Sequence, residues 1–176
     1  PSLVDHRICR LGEGCDIGPN TMITDSEIGN HTVILSSVLN KAKVENHVEI
    51  GPFARLRPGA HLADHVHMGN FGEVKNSYLA EGVKMGHFSY IGDTQVGKEV
   101  NIGCGTITCN YDGKKKNKTI IGDNTFIGSG TMLVAPLKIG ADSYTGAGSV
   151  VTHDVDDNVV VVGVPARKLR KVKDSE

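Results

Sequence analysis

The sequence has no tryptophan, few other aromatic residues and no long apolar run. Aromatic residues make up only 5% of the 176 positions, so few bulky side chains are available for a conventional mixed core. No apolar stretch approaches the roughly 18 residues of a membrane-spanning helix, and the chain does not begin with the apolar segment of a signal peptide. We therefore expect neither a membrane protein nor a secreted one.

An excess of charge of one sign is also missing. Nineteen Lys and Arg residues face 20 Asp and Glu residues, whereas nucleic-acid-binding proteins normally carry a basic surface. We therefore expect no nucleic acid partner. The four cysteines, Cys9, Cys15, Cys104 and Cys109, lack CxxC spacing and any obvious pairing, which indicates reduced thiols in a cytoplasmic protein.

What the sequence does contain is a six-residue repeat. Aliphatic residues, often followed by glycine, recur every six positions, as in Ile50, Leu56, Leu62 and Met68. Four residues after most of these aliphatic residues comes a small or β-branched one: Thr21, Thr32, Val48, Ala54, Ala60, Val66, Val83, Ser89, Val100, Thr106, Thr125, Thr131, Ser143 and Ser149.

A period of six predicts short strands wound around a narrow axis. Six is even, so alternating side-chain directions keep the same positions inward on every rung. Glycine beside the aliphatic residue allows a tight turn at each corner, and three faces of six residues make an 18-residue coil. An amphipathic helix would need apolar spacings of three and four, which are absent. The fold class predicted is all-β, a parallel β-helix.

The longest interruption of the repeat is TCNYDGKKKNKT, residues 108–119. It contains Asn110, the turn-forming pair Asp112-Gly113, and four lysines at 114, 115, 116 and 118. One interpretation is a solvated excursion that the lysines keep soluble. The other is an arm that reaches a neighbouring subunit and presents positive charge to an anionic substrate.

Two neighbouring rungs carry charge where the repeat tolerates any residue. Arg55 and Arg57 share one rung, and Glu73 with Lys75 falls on the next. Two guanidinium groups and an ammonium suit a phosphate, because Arg offers paired hydrogen bonds and Lys a point charge. An exposed face of mixed charge remains the alternative.

His87 is the histidine for which the repeat predicts companions. With about 18 residues to a coil, Cys104 lies nearly one coil above it and residues 68–70 one coil below. A neutral imidazole near pH 7 is a suitable base for removing a proton from an attacking amine. HLADHVH invites a zinc interpretation, but His65 and His67 share a side while His61 belongs to the preceding rung. We predict no metal site.

The segments GPFARLRPG, GNFGEVKNS, KMGHFSYIGD, NIGCGTITCNYDG and KTIIGDNTFIGS carry a family resemblance over roughly residues 15–152. In order and spacing they resemble the hexapeptide-repeat acyltransferases. Within that family, they are similar to the acetyltransferase domain of the bacterial bifunctional glucosamine-1-phosphate acetyltransferases/N-acetylglucosamine-1-phosphate uridyltransferases. The resemblance implies a left-handed, triangular β-helix and a homotrimer with active sites between subunits. It also implies transfer of acetyl from acetyl-CoA to the amine of glucosamine 1-phosphate, for UDP-N-acetylglucosamine and cell-wall precursor synthesis.

The resemblance also implies roles, position by position. His87 would be the general base, Glu73 the carboxylate that orients it, and the backbone N–H of Cys104 the oxyanion donor, at a position where the family usually has alanine. The acceptor would be held by Arg57, Lys75, Tyr90, Asn101, Asn110 and Lys116. Acetyl-CoA would contact Tyr111, Ser129, Ala147 and, in the basic C-terminal segment, Arg167.

The domain organisation follows from the repeat and its end. We expect a β-helix over residues 1–153, with the arm at 108–119, and an extension over 154–176 that includes a short helical tail. That basic tail either is solvated or reaches the coenzyme phosphate. No GxGT-type nucleotide signature is present, so no uridyltransferase domain is expected in these residues. A non-catalytic oligomerisation or regulatory β-helix and an acyltransferase for another amino sugar remain alternatives.

Overall fold

The computed structural model describes residues 9–172 and the backbone of Leu3–Asp5. Within these residues every regular element is a β-strand, and no helix is long and apolar enough to cross a membrane. The strands in chain order are β1 Leu3–Asp5, β2 Arg10–Leu11, β3 Asp16–Ile17, β4 Met22–Thr24, β5 Glu27–Ile28, β6 Val33–Ile34, β7 Val38–Asn40, β8 Lys43–Val44, β9 Glu49–Ile50, β10 Arg55–Leu56, β11 His61–Leu62, β12 His67–Lys75, β13 Tyr78–Leu79, β14 Lys84–Gly92, β15 Thr94–Val96, β16 Asn101–Ile102, β17 Ile107–Cys109, β18 Thr119–Ile121, β19 Phe126–Ile127, β20 Met132–Val134, β21 Leu137–Ile139, β22 Tyr144–Thr145, β23 Val150–Val151, β24 Val159–Gly163 and β25 Ala166–Lys171.

The strands form the three faces of a prism. Face F1 consists of β1, β4, β7, β10, the second halves of β12 and β14, β17, β20 and β23. Face F2 is the separate eight-stranded sheet β2-β5-β8-β11-β13-β15-β18-β21. Face F3 consists of β3, β6, β9, the first halves of β12 and β14, β16, β19, β22 and β24. F1 and F3 count as one 17-stranded sheet because β12 and β14 continue around the corner between them.

All but the last strands of the prism pair in parallel with the strand one coil later on the same face, and outside the arm the length of a coil varies little. Met22 pairs with Val38, and Arg55 pairs with Glu73 in a slightly longer coil. The longest steps are the three that span the inserted arm, from Thr94 to Thr119, from Asn101 to Phe126 and from Ile107 to Met132. The result is a parallel β-helix of about nine turns, as predicted, and it is consistent with the left-handed form.

The six-residue repeat accounts for the core. All the small or β-branched residues named above are buried, as are the aliphatic positions from Ile28 to Ile139 that precede them. Burying each aliphatic side chain stabilises the fold by about 1.5–3 kcal/mol. Most of the buried hydroxyls bond to the backbone, as in Thr131 Oγ1 to Gly128 O at 2.6 Å, so they satisfy polar groups at the corners; Thr119 Oγ1 has no partner among the described residues.

The prediction of a helical tail is wrong. β24 extends F3 by pairing in parallel with β22, and β25 then pairs with β24 in antiparallel register, Val161 opposite Lys168. A strand forms here because the last coil would otherwise end in unpaired backbone groups, which β25 satisfies. Its basic side chains stay in solvent while Ala166 packs against the core. Residues 173–176 of the predicted extension lie outside the described residues.

Candidate active site

His87 lies at the corner between F3 and F1, where β12 and β14 pass through without a break. Asn70 is its partner in register, and the two side chains meet with His87 Nδ1 3.2 Å from Asn70 Oδ1. The coils approach closely here because Gly69 has no side chain; a Cβ there would lie 1.9 Å from the carbonyl oxygen of Gly86. The His87 ring is exposed, and a proton on Nδ1 would be donated to this amide oxygen, which can only accept.

The same corner position is occupied on the next three coils by Cys104, Ser129 and Ala147. Backbone hydrogen bonds define this stack: Gly105 N to Phe88 O at 2.6 Å, Gly130 N to Cys104 O at 2.7 Å and Gly148 N to Ser129 O at 2.8 Å. A groove of about 500 Å³ runs beside the lower part of the stack, lined by His67, Lys84, Gly86, His87, Asn101, Ile102, Gly103, Cys104, Phe126 and Ser129. Four of the predicted site residues therefore share one groove.

The stack also presents free backbone donors. The N–H groups of Cys104, Ser129 and Ala147 donate to no acceptor among the described residues, and all three residues are exposed. Successive rungs of a β-sheet lie about 4.8 Å apart, so the three amides are evenly spaced along the corner. A row of free N–H groups beside an imidazole is suited to bind an extended ligand that carries several carbonyl oxygens. It is also suited to stabilise an oxyanion next to His87.

A second cluster of predicted residues forms at the other end of F1, at its corner with F2. Arg57 Nη1 lies 2.9 Å from Glu73 Oε1, and Lys75 Nζ lies 3.7 Å from Asp93 Oδ2. Asn110, buried at the start of the arm, donates its side-chain N–H to Asp93, while its side-chain carbonyl oxygen accepts no hydrogen bond from the described residues. This corner thus brings four charged side chains together with an amide oxygen, that of Asn110, which can still accept a hydrogen bond.

The electrostatics of this F1–F2 corner favour an anion. Lys75 lies beside Lys116 of the arm and lowers the pKa of Lys116, because two neighbouring ammonium groups repel each other. Burial alone would raise the pKa of Asp93, but hydrogen bonds from Asn76 and Asn110 and the charges of Lys75 and Lys116 hold it below its ordinary value. Three cations, including Arg57, and two carboxylates leave a net charge of about +1 before the other arm lysines are counted.

The irregular part of the arm covers residues 110–118, between β17 and β18. Its turn is built on Asp112, which accepts hydrogen bonds from the backbone N–H of Lys114 and Lys115, both at 2.8 Å, and from Asn117 Nδ2 at 2.9 Å. These bonds lower the pKa of Asp112 to about 2, so its carboxylate is charged at all ordinary pH values. Tyr111 is exposed and donates its hydroxyl to Gly113 O at 2.7 Å, within the arm.

Tyr90 lies between the two clusters, opposite Glu73 on the neighbouring coil. A Cβ on Gly92 would lie 2.4 Å from Tyr90 Oη and 2.7 Å from Asn110 Nδ2, so the phenol and the arm meet over this glycine. Tyr90 therefore faces the F1–F2 corner, with its ring half-buried against F1.

Some predicted partners are not brought together within one chain. Glu73 is paired with Arg57, and among the described residues no hydrogen bond or ion pair joins it to His87, whose ring contacts Asn70 instead. Arg167 lies on β25, the strand that caps the last coil. It lines a pocket of about 350 Å³ that also contains His153, Asp154 and Asp156, away from the His87 groove. Tyr111 likewise stays on the arm.

The three histidines of HLADHVH are dispersed. His61 Nε2 contacts Glu45 at 2.7 Å on F2, and His67 Nδ1 contacts Glu49 at 2.9 Å on F3. His65 sits at the corner between these faces and stacks on His47, which stacks in turn on His31, with ring centroids 5.1 and 5.2 Å apart. In the part of the chain that the structure describes, no three His, Cys, Asp or Glu side chains are placed so that they could hold a metal ion together.

Sequence reasoning placed residues 68–70 one coil below His87 but gave Asn70 no role, and it missed Asn76 and Asp93. Asp93 ends the quoted KMGHFSYIGD segment, yet the repeat gives it no inward position and its charge resembles that of any surface residue. Its φ of 53° places it in the left-handed region, which Asn and Asp tolerate better than other non-glycine residues. A polar residue at such a corner, one coil after Asn76, was the available signal.

Comparison with known proteins bears on the family and on the fold. A family model described as bacterial transferase hexapeptide (six repeats) matches residues 118–153. The bifunctional protein GlmU of Carboxydothermus hydrogenoformans is 56% identical over 152 residues, 86% of this chain and 34% of the relative. GlmU of Thermotoga petrophila is 58% identical over 146 residues, 83% of this chain and 33% of the relative. The chain thus spans about a third of the length of these relatives, in their C-terminal part.

Solved structures show the same fold at low identity. PerB from Caulobacter crescentus, solved with CoA and GDP-perosamine, has a TM-score of 0.63 at 24% identity and covers 69% of this chain and 56% of its own. LpxA from Acinetobacter baumannii has a TM-score of 0.62 at 15% identity and covers 97% of this chain and 74% of its own. These structures show the fold alone. The hexapeptide model and the GlmU relatives identify the chain as a hexapeptide-repeat protein that is similar to the C-terminal part of GlmU, consistent with its acetyltransferase domain.

Proposed function

We propose that the chain transfers an acetyl group from acetyl-CoA to the amine of glucosamine 1-phosphate, giving N-acetylglucosamine 1-phosphate. The observation that carries the proposal is the pairing of His87 with the free N–H of Cys104, one coil above it in the same groove. The name of the relatives, bifunctional protein GlmU, supports the choice of donor and acceptor, since two of them are 56% and 58% identical to this chain.

His87 is the base in this proposal. With its proton on Nδ1 toward Asn70, the ring presents an unprotonated Nε2. The amine of the acceptor attacks the thioester carbonyl carbon, a C–N bond forms, and one proton of the attacking nitrogen passes to Nε2. No covalent intermediate with the protein is needed.

The backbone N–H of Cys104 stabilises the tetrahedral intermediate. Its hydrogen is free to donate to the carbonyl oxygen as that oxygen becomes negative, and a donor of this kind contributes about a hundredfold or more to turnover. Collapse of the intermediate breaks the C–S bond, and the departing CoA thiolate takes up the proton from His87. The Cys104 thiol has no role in these steps.

The acceptor's phosphate is held at the F1–F2 corner. Arg57, Lys75 and Lys116 supply the positive charge, and an anion between Lys75 and Lys116 would relieve their mutual repulsion. Asn110 offers a free side-chain carbonyl oxygen to a sugar hydroxyl, with Tyr90 beside it. Asn101 lines the His87 groove and holds the sugar at its amine end.

The donor lies along the stack above His87. Ser129 and Ala147 belong to this stack and offer their free N–H groups to the pantetheine amides. Tyr111 and Arg167 complete the coenzyme site from the arm and from the capping strand of neighbouring chains, where Arg167 faces the coenzyme phosphate. CoA bound to PerB, a protein of the same fold, supports an acyl-CoA donor.

The phosphate requirement tests this assignment. With acetyl-CoA, glucosamine 1-phosphate is expected to be acetylated with kcat/KM at least about a hundredfold above that of glucosamine, because the corner cations contribute two or more charge-assisted hydrogen bonds. Product formation is followed by NMR of the N-acetyl methyl group. Equal rates for both acceptors would contradict the assigned phosphate site and favour another amino sugar as the substrate.

We also propose that the active site forms between subunits of a homotrimer. The F1–F2 corner with Arg57, Lys75 and Lys116, here called the cationic corner, lies at the opposite end of F1 from the His87 groove in one chain. Glu73 does not reach His87. The stacked Phe53 and Phe71 rings, 5.6 Å apart, and Phe88 are exposed beside the groove, where a second prism would cover them. Cys15, Cys104 and Cys109 form no disulfide among the described residues, which supports a cytoplasmic location for this assembly.

Mixed trimers provide the corresponding test. Co-expression of His87→Ala and Lys75→Ala chains is expected to restore about a quarter of the wild-type rate, because every mixed trimer holds one site with both residues intact. Each variant alone is inactive and serves as the control. Rates that stay at the level of the parents would place the whole site within one subunit.

A further inference from the structure

Asp93 holds together three parts of the cationic corner. It is only 9% exposed, and its two carboxylate oxygens are shared between Asn76 Nδ2, at 2.6 Å from Oδ1, and Asn110 Nδ2, on Oδ2. Lys75 Nζ lies 3.7 Å from the same Oδ2. One carboxylate therefore binds the preceding corner, the first residue of the arm and a cation of the phosphate site.

The backbone of Asp93 closes the arm from the other end. Its carbonyl oxygen accepts the N–H of Thr119, the first residue after the irregular part of the arm, at 3.2 Å, and its own N–H donates to Lys75 O at 3.1 Å. The arm is thus fastened at both ends to one residue, by the side chain at Asn110 and by the main chain at Thr119. Inside the arm, the N–H of Asn117 donates to Asn110 O at 2.7 Å, so the position of Asn110 sets that of the turn beyond it.

We propose that Asp93 is the positioning residue that fixes the inserted arm against Lys75, so that Lys116 and Lys75 face the same acceptor phosphate. It does not touch the substrate. This inference rests on the proposed function for the identity of the anion, but the fastening of the arm can be measured without it. The carboxylate also offsets part of the repulsion between the two lysines while no anion is bound.

Asp93→Asn tests the proposal, because the amide keeps the size of the side chain and turns one oxygen into a donor that faces the donors of Asn76 or Asn110. Two results are expected. Trypsin should cut at the arm lysines at least about tenfold faster in the native protein, measured by intact mass, because the arm opens more often. The KM for glucosamine 1-phosphate should rise about tenfold while kcat stays within about threefold, because the arm binds ground state and transition state alike.

Asp142→Asn is the matched control. Asp142 is also an Asp at a left-handed corner, with φ of 55°, and its Oδ1 accepts Asn124 Nδ2 at 3.1 Å on the neighbouring coil, away from the arm. This variant should match the wild type in both measurements, and thermal unfolding of both variants checks that the prism is intact.

The outcomes separate the two proposals. Unchanged trypsin cleavage in Asp93→Asn would overturn the fastening role, and faster cleavage with unchanged KM would overturn the role in substrate binding. If the wild-type protein acetylates no glucosamine 1-phosphate, the proposed function fails, while the trypsin comparison still decides whether Asp93 holds the arm. A purely structural role would lower the melting temperature without the selective rise in KM.

Discussion

Replacing His87 with alanine is expected to lower kcat/KM for acetyl transfer by about a thousandfold, within the range that a positioned general base contributes. The loss should fall on kcat, because the imidazole acts when the proton leaves the attacking amine and contributes little to binding of either substrate. Steady-state rates with acetyl-CoA and glucosamine 1-phosphate measure it.

The protein itself should be unaffected by this change. The His87 ring is exposed at the corner and is held by a hydrogen bond to Asn70, so the melting temperature and the assembly state should equal those of the wild type. His31→Ala is the control, since His31 is exposed and stacks on His47 at the corner between F2 and F3, away from the His87 groove. Turnover retained in His87→Ala would remove the assignment of the base.

Replacing Gly69 with alanine is expected to destabilise the prism by about 1–3 kcal/mol, the usual effect of overpacking. The added Cβ would lie 1.9 Å from Gly86 O and 3.0 Å from Gly86 Cα, both backbone atoms, so the two coils must separate. Their separation occurs where Asn70 and His87 meet, so turnover should fall together with the melting temperature.

Gly86→Ala is the stability control for that experiment. Gly86 occupies the same corner position one coil higher, but a Cβ there meets nothing within 4 Å. Thermal unfolding should therefore show a decrease of several degrees for Gly69→Ala and almost none for Gly86→Ala. Equal melting temperatures in the two variants would show that the coils at this corner can adjust to a side chain.

The repeat predicted the interior of the prism because alternate positions point inward along each face. Thr21, Val48 and Ser149 are inward for the same reason, and each is buried, whatever its polarity. The aliphatic residues follow the same rule. A pattern that is read along the chain is sufficient for such positions.

Contacts between coils depend on a second quantity, the length of each coil, which the repeat leaves open and which varies along the prism. The register at this corner places His87 opposite Asn70, whereas a coil that was longer by one position would place it opposite Gly69. Sequence reasoning therefore placed Cys104 above His87 and residues 68–70 below it, but it did not identify Asn70 as the residue in contact. Asp93 was missed for the same reason, since its side-chain partners lie on the coils before and after it.

The C-terminal segment was predicted as a helix because of its local sequence, whereas its structure is decided by the strand that it pairs with. The basic run that includes Arg167 and Arg170 resembles a solvated helix, but the last coil exposes backbone groups that only another strand can pair. The stacked histidines at residues 31, 47 and 65 were likewise invisible along the chain, because they meet only when the corners of three coils coincide.

The most direct test of the account is release of free CoA thiol from acetyl-CoA by the wild-type protein, with and without glucosamine 1-phosphate. The account predicts release that depends on the acceptor, with one thiol formed for each N-acetylglucosamine 1-phosphate. A protein that is folded and trimeric but releases no thiol with this acceptor would contradict it, and would indicate a non-catalytic β-helix or an enzyme for a different amine.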